Sequence, residues 1–182
     1  KRAILCIVDV PSQAYGRREE LFGIHQALAG AVDSYARARL AGHPVISLLV
    51  GKSMSGAFLA HGYQANRIIA LKDAGVMVHA MGKESAARVT LRTVDELEKL
   101  AASIPPMAYD IESYATLGLL SDLLTVVNPE QPTTEDIACV QDAFLQALND
   151  IQTTGSTGLE HRLHGENRQM SKRVRELLRE QW

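Results

Sequence analysis

Val45-Ile46-Ser47-Leu48-Leu49-Val50-Gly51-Lys52-Ser53-Met54-Ser55-Gly56-Ala57-Phe58-Leu59 passes from an apolar run, through a turn of small residues, into a second apolar stretch. The run over 45–50 is too short for a buried helix and lies between Pro44 and Gly51. It does not alternate apolar with polar, which is how a strand covered on both faces reads. Runs over 4–8, 67–71 and 76–80 have the same character. Upstream, Leu21, Ile24, Leu28, Val32 and Tyr35 recur at helical spacing and predict one long helix over 17–40. Glu19 and Glu20 stand near its start, Arg37 and Arg39 near its end, and Gly42 and Pro44 stop it. Strand, long helix, strand is the crossover unit of a parallel sheet, so the fold class is α/β.

Downstream, a short helix is predicted from Ser55-Gly56 to about Gly62. Thr93-x-x-Glu96 is a capping box that opens a helix over 94–103. Pro105-Pro106 breaks the chain. Residues 110–117 read as helical and 123–127 as extended. Pro132-Thr133-Thr134 opens a helix through Leu148. Thr153-Thr154-Gly155-Ser156-Thr157-Gly158 reads as a linker. This divides the chain into a domain over 1–152, a linker over 153–158 and an amphipathic helix over 159–182, packed on the domain or on a partner.

The chain has 182 residues, 46% hydrophobic and 22% charged, the balance of a soluble globular domain. A net charge of −2 argues against nucleic acid or an anionic membrane as main partner, and no apolar run is long enough to span a bilayer. Cys6 and Cys139 lie far apart, which excludes a disulfide scaffold and a cysteine zinc site and suits the cytoplasm. Lys1-Arg2 leads at once into a buried-strand pattern, without an initiator Met or a signal-peptide pattern. We therefore expect further sequence upstream, supplying the N-terminal part of the domain.

The segment Gly51–Leu59 contains Gly-Lys-Ser but is not a phosphate-binding P-loop, because Ile46 stands where that motif needs glycine. Nor is it G-x-S-x-G, because Ser55 occupies the last glycine position. What remains is a turn of small residues between a buried strand and a helix. Such a turn has N–H groups without intrahelical partners and lets a ligand oxygen approach them. Asp9-Val10-Pro11-Ser12-Gln13-Ala14-Tyr15-Gly16 likewise leaves a strand at its C-terminal end, where open parallel sheets place ligands. The two loops together offer an oxyanion hole, with backbone donors drawn from Ser12, Gln13, Met54, Ser55 and Gly56. The competing reading is that the small residues only permit tight helix–sheet packing.

Asp9-Val10-Pro11, Gly16 and Gly23, the long helix, and Gly51-x-x-x-Ser55-Gly56-Ala57 resemble the carboxyltransferase branch of the crotonase superfamily. That branch includes the carboxyltransferase subunits of acetyl-CoA and propionyl-CoA carboxylases, and the gamma subunits of malonate decarboxylases are the most similar group. The resemblance runs over about 2–127. It departs where Ser12 and Ser55 stand in place of frequent glycines; the backbone donors survive, but the pocket is more crowded. The resemblance implies a crotonase-like fold of repeated ββα units, with largely parallel sheets and flanking helices. It implies a malonyl-thioester decarboxylase subunit, converting a malonyl carrier to an acetyl carrier and carbon dioxide by stabilising an enolate. It also implies a related beta subunit as partner. An acyl-carrier subunit with a CoA-like prosthetic arm brings the substrate, no cofactor is intrinsic to the chain, and the involvement of biotin is left open. Lys52, Arg17 and Arg18 are candidates for the phosphate of that arm.

Three alternatives stand beside this reading. One is a biotin-dependent carboxyltransferase subunit. Another is a serine hydrolase, since Met54-Ser55-Gly56-Ala57-Phe58-Leu59 and Val78-His79 are similar to the nucleophile turn and histidine of the Clp protease. That alignment, however, puts Met54 in the nucleophile slot. A third is a non-catalytic subunit covering a partner's site. His161-x-x-His164 with Glu160 and Glu166 has metal-ligand spacing but no visible third converging ligand, so a solvated helix face is expected and no metal.

Overall fold

The computed structural model describes residues 1–182, with every side chain except that of Glu166. The run at 45–50 continues into a ten-residue strand, β2 (Val45–Met54), because Gly51 and Ser53 still fit a pleated sheet. On one side lies β1 (Ile4–Val10), parallel, from Ile4 opposite Val45 to Val8 opposite Leu49. The other side of β2 is shared by two strands. β3 (Arg67–Leu71) pairs with its first half, and β4 (Met77–His79) with its end, where Met54 faces His79. β5 (Asp122–Leu124) extends the sheet beyond β3. Every pair of strands is parallel, as the crossover pattern predicts. Val8, Val45, Leu49, Ile68, Ile69 and Val76 are sealed at its centre.

The β1–β2 register slips between Val8 and Val10, so that Val10 faces Ser53. The cause lies beside Gly51. The Asp9 carboxylate fills the space a Cβ would take there and accepts the Lys52 N–H at 2.9 Å. This slip turns the loop after β1 toward the end of β2.

The helix predicted over 17–40 is two: α1 (Arg17–Leu21) and α2 (Ile24–Leu40). Gly23, at φ 79°, stands in the left-handed region and breaks them. Leu21, counted in the apolar stripe, is exposed as a result. α3 (Ser55–Ala60) follows β2 directly. α4 (Lys83–Thr90) has no counterpart in the sequence reading, because it buries only Ala86 and Ala87. α5 (Val94–Ala101) begins at the predicted capping box, with both reciprocal hydrogen bonds formed. α6 (Ile111–Ala115) is capped by Asp110.

α7 (Thr134–Thr154) runs past Leu148, because Ala143, Ala147 and Ile151 continue its buried face against the sheet. It therefore takes up the first two residues of the predicted linker. Gly155, at φ 61°, ends it. Beyond, the Ser156 carbonyl accepts from Asn66 Nδ2 at 3.4 Å, and the Thr157 carbonyl accepts from Arg39. The stretch predicted as one helix over 159–182 forms 3-10 turns at Glu160–Leu163 and Glu166–Arg168 before α8 (Gln169–Gln181).

Candidate active site

Met54 ends β2 in extended conformation with its side chain buried, and it does not line the cavity described below. Ser55 then takes φ 59°, a left-handed conformation that a residue with a Cβ adopts at a cost. Its hydroxyl donates to the Ala80 carbonyl at 2.9 Å, which ties the turn to the end of β4. At Gly56 a Cβ would stand 3.3 Å from Leu28 and 3.4 Å from Gln13 Oε1, so the turn is packed from α2 and from the β1 loop together.

The two loops do face each other, and Gln13 joins them by its side chain. Gln13 Oε1 accepts the Ala57 N–H at 3.3 Å. One helix-start donor is thereby taken up within the protein, while the Gly56 N–H finds no acceptor among the described residues. Ser12 is partly buried beside this junction. Lys52, Arg17 and Arg18 stand on the surface and do not line the cavity described next.

Ser55 and Gly56 open on a cavity of about 370 Å³. Phe58, Leu59 and Val78 form its near wall, and Pro105, Pro106, Leu117 and Leu119 close it from across. Tyr63 and Tyr114 lie on the same lining. The Tyr114 hydroxyl is sealed from solvent and has no hydrogen-bond partner among the described residues, and burial raises its pKa. The far wall was not legible in the sequence, where Pro105-Pro106 reads only as a break.

His79 is the remaining polar group on the lining. Its ring stacks on Tyr109, with centroids 3.9 Å apart and planes 8° from parallel. Nδ1 lies 3.1 Å from the Met81 carbonyl, which also accepts the Tyr109 hydroxyl at 2.9 Å. The Met81 N–H also points at Nδ1, at 3.3 Å, so Nδ1 donates to the Met81 carbonyl when the ring is an imidazolium and accepts the Met81 N–H when Nδ1 is bare; no protein group among the described residues takes Nε2. Desolvation lowers the His79 pKa, and the bond to Met81 opposes that shift.

This geometry does not form a nucleophile pair. The Ser55 proton is given to Ala80, and no hydrogen bond joins Ser55 to His79 among the described residues. Nor do His161 and His164 gather a metal site. Desolvation and the charges of Arg67 and Arg162 pull the His161 pKa down to about 4. No group of three candidate ligands occurs among the described residues, and the Glu166 side chain lies outside them.

With this geometry in place, likeness to known proteins is informative. The family described as malonate decarboxylase gamma subunit matches residues 1–182. The malonyl-S-ACP:biotin-protein carboxyltransferase MADD of Malonomonas rubra is 32% identical over 164 residues. That alignment covers 90% of this chain and 53% of the relative, so the chain spans about half the length of that curated protein. A Pseudomonas malonate decarboxylase hetero-tetramer, solved in complex with coenzyme A, contains a chain 69% identical, at a TM-score of 0.95. It is matched by all of this chain and over 69% of its own length. Transcarboxylase 12S, at 22% identity, a TM-score of 0.60 and coverage of 82% of this chain and 26% of its own, shares the fold.

Proposed function

The chain belongs to the malonate decarboxylase gamma subunit family, and on that premise we propose that it supplies half of a decarboxylating site for a malonyl thioester. A Gly56 N–H without an acceptor among the described residues, on a residue that lines an apolar cavity, is the observation that carries this reading. Loss of carbon dioxide breaks the bond from the methylene carbon to the carboxylate. The electron pair spreads onto the thioester oxygen, and a fixed N–H donor aimed at that oxygen stabilises the charge without a titrating group. The second donor would come from the Pro11–Gln13 loop, which meets the turn through Gln13; Ser55 lines the cavity itself, whereas Ser12, Gln13 and Met54 stand behind its lining. One such donor is worth roughly 3 kcal/mol, about a hundredfold in rate.

The working protein pairs this chain with a related beta subunit and an acyl-carrier subunit; the Pseudomonas structure, a hetero-tetramer holding coenzyme A, supports both parts of this reading. The substrate rides on a CoA-like arm whose phosphate meets Lys52, Arg17 or Arg18, and the chain brings no cofactor of its own. A place in the cytoplasm fits the free Cys6 and Cys139. None of the described helices is long and apolar enough to cross a membrane. The domain over 1–152 and the stretch over 159–182 then divide the work between catalysis and packing. Transfer of the carboxyl group to biotin is the second reading, favoured by the Malonomonas relative. Carbon dioxide release by a biotin-free complex separates the two.

The test is Gly56→Val in the reconstituted complex. A branched side chain would crowd Leu28 and Gln13 and block the approach of oxygen. Turnover of malonyl-carrier thioester should fall about a hundredfold, in line with the loss of one oxyanion donor. Ser53→Ala is the control, expected to leave turnover intact, because the Ser53 hydroxyl is buried and unpaired. Near-normal turnover in a well-folded Gly56→Val complex would leave this chain as a cover for its partner's site.

A further inference from the structure

Carbon–carbon cleavage leaves an electron pair on the methylene carbon, and an acetyl thioester forms only when that carbon gains a proton. The cavity offers few sources. Its walls are aliphatic, aromatic or proline, apart from Ser55, Tyr63, Tyr114 and His79. The Ser55 proton is held by Ala80, and the Tyr114 hydroxyl is sealed behind the lining. Phenols ordinarily titrate near 10, far from neutrality. The imidazole is different in kind, because it changes charge close to physiological pH.

His79 is also the best placed. Met54 faces it across β2 and β4, so its strand position adjoins the residue that leads into Ser55 and Gly56. The stack on Tyr109 and the bond from Nδ1 to the Met81 carbonyl fix the ring in one orientation. Both protein hydrogen bonds of the ring are at Nδ1, so Nε2 has no protein partner among the described residues, on a ring that lines the cavity. Around it, the ionisable side chains include Tyr109 on its face, Lys83 with Nζ 5.4 Å from the centre of the Tyr109 ring and ion-paired with Glu98 at 2.7 Å, Glu84, whose charge acts on Tyr109, and Tyr114 on the same cavity lining.

We propose that His79 is the proton donor of the reaction, delivering the Nε2 proton of its imidazolium to the carbanion left by carbon dioxide. The Nε2–H bond breaks and a C–H bond forms from the electron pair that carbon dioxide left behind. The neutral imidazole takes a fresh proton from solvent for the next cycle. This assignment rests on the decarboxylase reading above. The surroundings favour the timing. Burial disfavours the imidazolium in the empty site, whereas an incoming carboxylate favours it. The proton is thus loaded with the anionic substrate and becomes easier to give up once the carboxylate has left.

The experiment is His79→Gln in the reconstituted complex, with malonyl-CoA as the probe and ¹³C-labelled carbon dioxide in the buffer. Two rates are read: acetyl-CoA formation, and incorporation of ¹³C into malonyl-CoA by reversal of the cleavage step. Loss of the acid should lower acetyl-CoA formation by a hundredfold or more, in the range typical of general acids. Label incorporation should persist, because cleavage and its reversal need no proton. A rise in the ratio of exchange to turnover is a signature that a loosened fold would not give. Turnover within threefold of wild type, or equal loss of both rates, would overturn the proposal. His79→Ala with added imidazole guards against misfolding of the glutamine variant; restored acetyl-CoA formation supports the assignment, and no restoration in a folded protein counts against it. Gly56→Val separates the underlying reading, since failure of the oxyanion site abolishes exchange and turnover together.

Discussion

Ser55 is pulled in two directions. Its left-handed backbone costs a residue with a Cβ roughly 1 kcal/mol or more. Its hydroxyl recovers about 1 kcal/mol through the bond to Ala80. Ser55→Ala loses the bond and keeps the strain, so it should be less stable than wild type by about 1 kcal/mol. Ser55→Gly loses the bond and relieves the strain, so it should melt close to wild type and above Ser55→Ala. Urea or thermal melts decide the order, and a glycine variant below the alanine variant would show that the turn stores no strain. Both should retain most thioester turnover, because the backbone donors stay in place. A fluorophosphonate probe should leave Ser55 unlabelled, as expected of a hydroxyl bonded to a carbonyl instead of a base.

Among the elements, the entry to α7 is the most electrostatically defined. Asp136 is nearly buried and accepts the N–H groups of Val127 and Thr133, and these bonds hold its carboxyl below the usual carboxylate range. The folded state therefore binds this proton less tightly than the unfolded chain. The resulting stability is fully present above the ordinary aspartate pKa and is lost as pH falls through the depressed folded value. Asp136→Asn should flatten the acid limb of a stability–pH curve, and an unchanged limb would place the acid sensitivity elsewhere. This helix also shows how far local pattern reaches. Its start was legible because Pro132-Thr133-Thr134 marks a helix opening, and Thr133 does cap it, whereas its end was not, because past Leu148 only Ile151 is buried and Thr153-Thr154-Gly155 reads as a turn. Strands β1 to β4 were legible for the opposite reason: each is an apolar run between turn residues. The break at Gly23 was hidden because spacing counts of Leu21 and Ile24 carry across it, and no side-chain pattern reports a backbone φ. In the site, the Ser55–Gly56 turn could be read from small residues after a strand. Pro105, Pro106, Leu117 and Leu119 could not, since only tertiary packing brings them to the cavity, and the Gln13 side chain bridging to Ala57 has no local signature.

At the scale of the whole molecule, the stretch after α7 is tied to the wall of the cavity. Arg162, 4% exposed, donates to the Tyr63 carbonyl at 2.6 Å and to the Ala65 carbonyl. Its guanidinium carbon lies 5.2 Å from the centre of the Tyr63 ring, which lines the cavity. Desolvation pulls the Arg162 pKa down to about 10, still high enough to keep the charge at neutral pH. Nearby, Gly118 at φ 70° meets Gly165 so closely that a Cβ on either would strike the other's backbone. Arg162→Ala would leave two carbonyls unpaired and should cost about 3 kcal/mol. Limited proteolysis should then cut after Gly155 far faster than in wild type, and turnover should fall as Tyr63 loosens. Unchanged cleavage would show that α8 and the glycine contact hold the stretch unaided.

The parallel pairing of all five strands also shapes how the chain reaches its fold. No strand can pair with its predecessor through a tight hairpin; β1 must wait for β2 beyond both α1 and α2, and β5 joins β3 only after α4, α5 and α6 have been laid down. Loop-closure entropy is spent before any strand contact repays it, which places the domain among slow refolders. Through that interval β1 is an edge of this five-stranded sheet, carrying Leu5 and Ile7, which are 50% and 51% exposed here. Such an edge recruits other unfinished chains. Recovery of native protein after denaturation is thus a contest between sheet closure and self-association, governed by protein concentration as much as by the stability of the folded state.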